Sequence, residues 1–133
     1  MNAQELLAKA IRAAGSAKML LDAGDVDGAC NRAYYAMFDA ARAALLAAGA
    51  LIDPEIARTH GGLISAFSVH LVKTGRVPVE LGKTLNKAEE LRLVADYRGD
   101  SVQVQDAAWI ASQAEIFVTA MRKTFLPTTS QDS

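Results

Sequence analysis

The chain has 133 residues, with 14 Lys and Arg against 15 Asp and Glu, and this formal charge of -1 speaks against a general polyanion binder. An apolar content of 51% with 22% charged residues excludes intrinsic disorder, and the length suits one core with no second independent domain. Alanine occupies 26 positions and proline only three, Pro54, Pro78 and Pro127, all near segment edges, which favours closely packed helices.

The first helix is expected from about Asn2 to Ala23. Asn2 and Glu5 stand at capping-box spacing, Leu6, Ala10, Ala13 or Ala14, Ala17 and Leu20 or Leu21 share a face, and Gly24 ends the segment. The second starts at Asp25, a residue able to accept from the free amides of a first turn, and runs to the Gly49 stop. Tyr34, Phe38, Ala41 and Leu45 form its apolar stripe, while Arg32, Tyr35, Asp39 and Arg42 follow the same spacing on the polar side. Residues 50–59 read as a loop around Asp53 and Pro54. A third helix spans about His60 to Thr74, with Leu63 or Ile64, Phe67 and Leu71 inward and Gly75 closing it. The fourth begins at Pro78, buries Leu81, Leu85, Ala88, Leu91 and Ala95, and stops at Gly99. The fifth lies between about Gln103 and Leu126 on a row of Ala107, Ile110, Ala114, Phe117 and Met121 or Phe125. The whole is an all-α, single up-and-down bundle of four to five helices over residues 1–126, followed by a flexible tail over residues 127–133.

Lone Cys30 cannot form an internal disulfide, and the opening MNAQELLAKAIRAAG lacks the apolar run of a secretory signal, so a reducing cytoplasm is expected. The least polar stretch, Ala40 to Ile52, is broken by Arg42 and falls short of the roughly 20 residues that cross a bilayer. No metal or cofactor is expected. His60 and His70 are the only histidines, and ten residues of one helix separate them by about 15 Å, too far to share an ion. Cys30 reads as a small buried side chain, not a nucleophile. Gly61 and Gly62 lack the preceding strand and following lysine of a phosphate loop, and read as a tight helix entry.

The segment ELRLVADYRGD concentrates chemistry. Arg92 and Asp96 are four residues apart with Glu89 three before the arginine, and Tyr97 and Arg98 follow. The bland reading is a solvated ion pair. The functional one is an arginine beside a tyrosine that contacts a phosphodiester or an acidic partner.

The run NRAYYAMFDAARAALLAAG, then RTHGGLISAF, LVKTGRVP, LGKTLNKAEELRLVADYRGD and AEIFVTAMRKTFL, resembles the HEPN domain superfamily, and within it the small stand-alone HEPN proteins of bacteria and archaea. The likeness extends from about Leu6 to Leu126 and preserves the order and spacing of these separate segments. It implies a bundle that forms homodimers, often paired with a small nucleotidyltransferase as toxin and antitoxin, and many relatives are metal-independent ribonucleases. Their signature is an arginine, four to six residues, then a histidine, assembled across the dimer. Arg92 matches the arginine, but Tyr97, Arg98 and Gly99 stand where the histidine belongs, and Leu93 follows where active relatives carry a polar residue. Such chemistry needs a cation for the phosphate and a group of near-neutral pKa for the ribose hydroxyl, and a tyrosine near pKa 10 is a poor base.

The resemblance therefore implies a degenerate, non-catalytic module that binds RNA, a nucleotide or a partner protein through Arg92, Asp96, Tyr97 and Arg98, with Arg32 and Tyr35 on the second helix as further binding residues. Two alternatives stand beside it. One is a ribonuclease toxin using Arg92 with Tyr97 or a distant histidine. The other is a structural partner of a nucleotidyltransferase that is modified on Tyr97. Residues 56–98 carry seven basic against four acidic side chains, enough for weak RNA contact only. The alanines of the second helix, with Tyr35 on its polar side, predict a homodimer.

Overall fold

In a computed structural model the described residues are 1–97 and 102–127, and among them every regular element is helical. Helix α1 spans Ala3–Asp22, α2 Val26–Ala47, α3 Pro54–Ala57, α4 His60–Phe67, α5 Val79–Tyr97 and α6 Val104–Phe125. A π-helical turn, Ser68–Val72, continues α4.

The helix starts follow local chemistry. The Asn2 side chain accepts from the Glu5 amide at 2.8 Å while the Glu5 carboxylate accepts from the Asn2 amide, closing the capping box. Asp25 accepts from Gly28 at the start of α2, and Thr59 from Gly62 at the start of α4. The α1–α2 connection turns at Gly24, whose φ of 88° suits a residue without Cβ.

Helix α2 is the axis of the bundle and packs against α1, α6, α5 and α4. Its length is shielded by Leu6, Ala10, Ala17, Phe67, Leu85, Ile110 and Phe117, all essentially without solvent exposure, and Phe67 and Phe117 meet at 5.5 Å between ring centroids. Alanines at 33, 36, 40, 41, 43 and 44 are fully buried, so neighbouring backbones approach closely. Val102 donates its amide to Asp27 at 3.2 Å, which ties the approach to α6 back to the first turn of α2.

Four expectations change. Residues 50–59 are not all loop, because Asp53 accepts from Glu55 and Pro54 takes the first position of the one-turn α3. The third segment is α-helical only to Phe67 before the π turn, where Lys73 donates to the Ser68 carbonyl five residues back. Asp39, expected on a polar face, is 5% exposed, because α2 is so enclosed that its polar stripe is also largely covered. In α5 the most protected positions are Thr84, Leu85, Ala88, Leu91 and Arg92, whereas Leu81 and Ala95 are half-buried. The expected stop at Gly99, the side chain of Arg98 and tail residues 128–133 lie outside the described residues.

Candidate functional site

The last two turns of α5 meet the N-terminal half of α2 and the start of α4 around one arginine. Arg92 is 3% exposed, so its ion pairing is not the solvated kind expected from spacing alone. Its Nε and Nη2 donate to the two oxygens of Glu89 at 3.1 and 3.0 Å, a bidentate fork one turn back on the same helix. Nη1 donates to Asp96 at 3.3 Å, one turn forward. The guanidinium carbon lies over two aromatic rings, 5.0 Å from the centroid of Tyr34 and 5.7 Å from that of Tyr97.

Helix α2 extends this network. Asn31 donates to Asp96 at 3.1 Å, and its own side-chain oxygen accepts from Nε of Arg32 at 3.3 Å. Arg32 then lies over the Tyr35 ring at 5.4 Å. One turn on, the rings of Tyr34, Tyr35, Phe38 and His60 pack mutually, with centroids between 5.3 and 6.1 Å apart. His60 reaches the cluster because Thr59 caps α4 and starts the helix there, which places Nδ1 2.8 Å from the Tyr34 hydroxyl.

Burial sets the protonation states. Desolvation raises the Tyr34 pKa far above the ordinary phenol range, and the Glu89 carboxylate adds to it, so the hydroxyl keeps its proton. Desolvation lowers the His60 pKa, the Arg92 charge lowers it further, and Glu89 opposes both; the imidazole is neutral at pH 7. For Arg92, burial alone disfavours the cation, but the hydrogen bonds and charge of Glu89 reverse that and the pKa rises, with Tyr97 and Tyr35 contributing. Arg92 is a permanent cation with its donors committed to carboxylates.

The structure thus brings together Arg92, Asp96, Tyr97, Arg32 and Tyr35 from the expected set, while Arg98 lies outside the described residues. Tyr97 is 73% exposed, and Tyr35 is half-buried. Tyr34, Asn31 and His60 belong to the site although sequence reasoning put Tyr34 in ordinary core and left His60 without a place. Those contacts join positions 65 and 26 residues apart, and no local spacing announces them. Cys30 is fully buried and its thiol is pushed up to about 12 by desolvation and by Asp27, Asp106 and Asp96, which leaves it without nucleophilic character. Among the described residues no three His, Cys, Asp or Glu side chains converge as a metal site, and no helix is long and apolar enough to cross a membrane.

Comparison with known proteins gives this arrangement a context. A family model described as the HEPN domain matches residues 3–124. A UPF0332 protein of Gloeobacter violaceus is 37% identical over 117 residues, covering 86% of this chain and 89% of the relative. A UPF0332 protein of Thermotoga maritima is 39% identical over 110 residues, 80% of this chain and 78% of the relative. A Methanocaldococcus jannaschii protein provisionally named a toxin is 33% identical over 108 residues, 81% of this chain and 77% of the relative.

Proposed function

The chain belongs to the HEPN domain family, and from that premise we propose that it is a non-catalytic binding module of a toxin and antitoxin pair whose other member is a nucleotidyltransferase. One observation carries the reading: Arg92 is 3% exposed, with Glu89 and Asp96 holding its donors and the rings of Tyr34 and Tyr97 against it. A cation so committed must break a bidentate pair before it can hold a phosphate, and a charged partner stripped from a buried pair is costly. Tyr97, Arg98 and Gly99 also stand where active relatives carry the histidine that moves protons. What the site presents outward is Tyr97, with Arg32 and Tyr35 beside it, a surface for a nucleotide, RNA or the partner enzyme. Tyr97 is the accessible hydroxyl there and the acceptor for a nucleotidyl group. The toxin name of the archaeal relative supports the toxin and antitoxin part of this reading, and the setting is a reducing cytoplasm.

Labelled RNA incubated with the purified chain in EDTA is expected to stay intact, as it does with an Arg92→Ala variant. Cleavage by the wild type that disappears in Arg92→Ala overturns the reading. Co-expression with a nucleotidyltransferase partner is expected to yield a nucleotidyl adduct on Tyr97 by mass spectrometry.

A second reading, a metal-independent ribonuclease, is favoured by the place of His60. Its neutral imidazole stands on Tyr34, whose ring lies against Arg92, so α4 supplies a titratable group that the sequence after Arg92 lacks. In that case His60→Ala abolishes RNA cleavage together with Arg92→Ala.

A further inference from the structure

A second hollow lies at the C-terminal end of α2, and none of the residues around it belongs to the Arg92 cluster. Arg42, Leu45 and Leu46 stand at i, i+3 and i+4 on α2 and form one wall. Pro54, Ala57 and Arg58 repeat that spacing across α3 and form the other, because Asp53 caps the turn and holds it in helical register. Leu63 of α4, without solvent exposure, is the floor, and the half-buried Ile52 closes the side. The cavity so formed measures about 170 Å³.

Both charged side chains in this lining are arginines. Arg42 is half-buried and makes no hydrogen bond or ion pair among the described residues, and Asp39, one turn back, bears on it through its charge. Arg58 meets Glu55 at 3.5 Å, but those two side chains are 69% and 79% exposed, so water competes for the pair and it holds the guanidinium weakly. Neither arginine is locked as Arg92 is by its fork to Glu89.

We infer that this cavity binds a small aromatic monocarboxylate, the ring among the leucines and Ile52 and the carboxylate between Arg42 and Arg58. Size sets the first limit. An apolar cavity of about 150 Å³ takes up benzene, so this one has room for a single six-membered ring and little more. Charge sets the second. A planar guanidinium donates to both oxygens of a carboxylate at once, and it also favours an aromatic ring over an alkyl chain of the same bulk. A bare phosphate or sulfate is excluded by the walls, since nothing among Leu45, Leu46, Ile52 and Leu63 replaces the water it would lose. An uncharged ring fills the floor and leaves both arginines unmet. A few polar groups placed on an apolar hollow are the usual make-up of a small-molecule site, and this one stands independently of whether the chain cuts RNA or carries a nucleotidyl group.

The test is a titration of the full chain with phenylacetate, followed by amide NMR. Saturable shifts are expected at Leu46, Ile52, Ala57 and Leu63. Acetate, which lacks the ring, and phenylethanol, which lacks the charge, are each expected to bind at least tenfold more weakly. A double variant, Arg42→Gln with Arg58→Gln, is expected to lose the preference for phenylacetate over phenylethanol while still taking up the ring. Ala57→Leu fills the cavity and is expected to abolish binding of both. Circular dichroism confirms that each variant is helical, and where one does not fold, the three ligands on the wild type decide. No saturable shift through the millimolar range overturns the inference, as do shifts centred on other residues or equal affinity for phenylethanol. So does a folded double variant that keeps the preference, or a folded Ala57→Leu that binds as the wild type does.

Discussion

The Tyr34 hydroxyl lies 2.8 Å from Nδ1 of His60, joining the middle of α2 to the first turn of α4 across 26 positions of sequence. Because Arg92 lies over the Tyr34 ring, 5.0 Å from its centroid, a proton placed on His60 feels a permanent charge nearby.

That contact makes stability depend on pH. The folded pKa of His60 lies below its unfolded value of about 6.5, so between the two the unfolded chain binds a proton that the folded chain refuses. Stability is unaffected well above pH 6.5 and falls as the pH drops through and below it. Urea midpoints at pH 7.5 and 5.5 are expected to differ more for the wild type than for His60→Gln, which keeps a polar side chain but does not titrate.

Removing the buried cation is expected to be severe. Arg92→Ala strands Glu89 and Asp96 and should cost about 3–5 kcal/mol, measured by denaturant unfolding of the helical signal. Arg92→Lys keeps the charge but cannot make the fork to Glu89 or the same planar contact with the Tyr34 and Tyr97 rings, so it recovers only part of that loss.

Adjacent glycines at the start of α4 are expected to respond in opposite directions. A Cβ on Gly61 meets nothing, and Gly61→Ala should stabilise by up to about 1 kcal/mol through helix propensity. A Cβ on Gly62 strikes the Ile56 carbonyl and the capping hydroxyl of Thr59, and Gly62→Ala should destabilise by about 1–3 kcal/mol. Thermal melts of the two variants beside the wild type read both signs at once.

Cys30 should behave as an inert core atom. With no solvent exposure and a thiol pushed up to about 12, it should react with a disulfide reagent at pH 8 only as fast as the chain opens. Rapid modification of the folded protein would contradict this placement.

Most of the bundle was legible because its boundaries are local. Asn2 with Glu5, Asp25 and Gly24 act within one turn of themselves, and the core rows of α1 and α6 follow from spacing alone. The site was half legible for the same reason. Glu89, Arg92 and Asp96 are neighbours on one helix, so their pairing can be read from the chain, whereas Asn31 and His60 arrive from α2 and α4 by packing. Burial was the quantity that pattern misjudged. Asp39 sits where a helical wheel places solvent, while Arg92 falls within the apolar row of α5 and only its charge suggested exposure; both are covered, in a bundle whose α2 touches four other helices. The four-residue α3 escaped notice because one turn has no periodicity to display.

The π turn at Ser68–Val72 turns the connection between α4 and α5 into a ruler. It spends one more residue per turn than the helix before it, and Phe67 and Leu71 remain buried on either side of the change. Deleting a single residue there would restore a regular helix and rotate everything downstream by about 100° relative to what precedes it. Leu71 and Val77 would then leave the core together. In this stretch the number of residues is held more tightly than their identity, and the half-exposed Val69 is free to vary where the count is not.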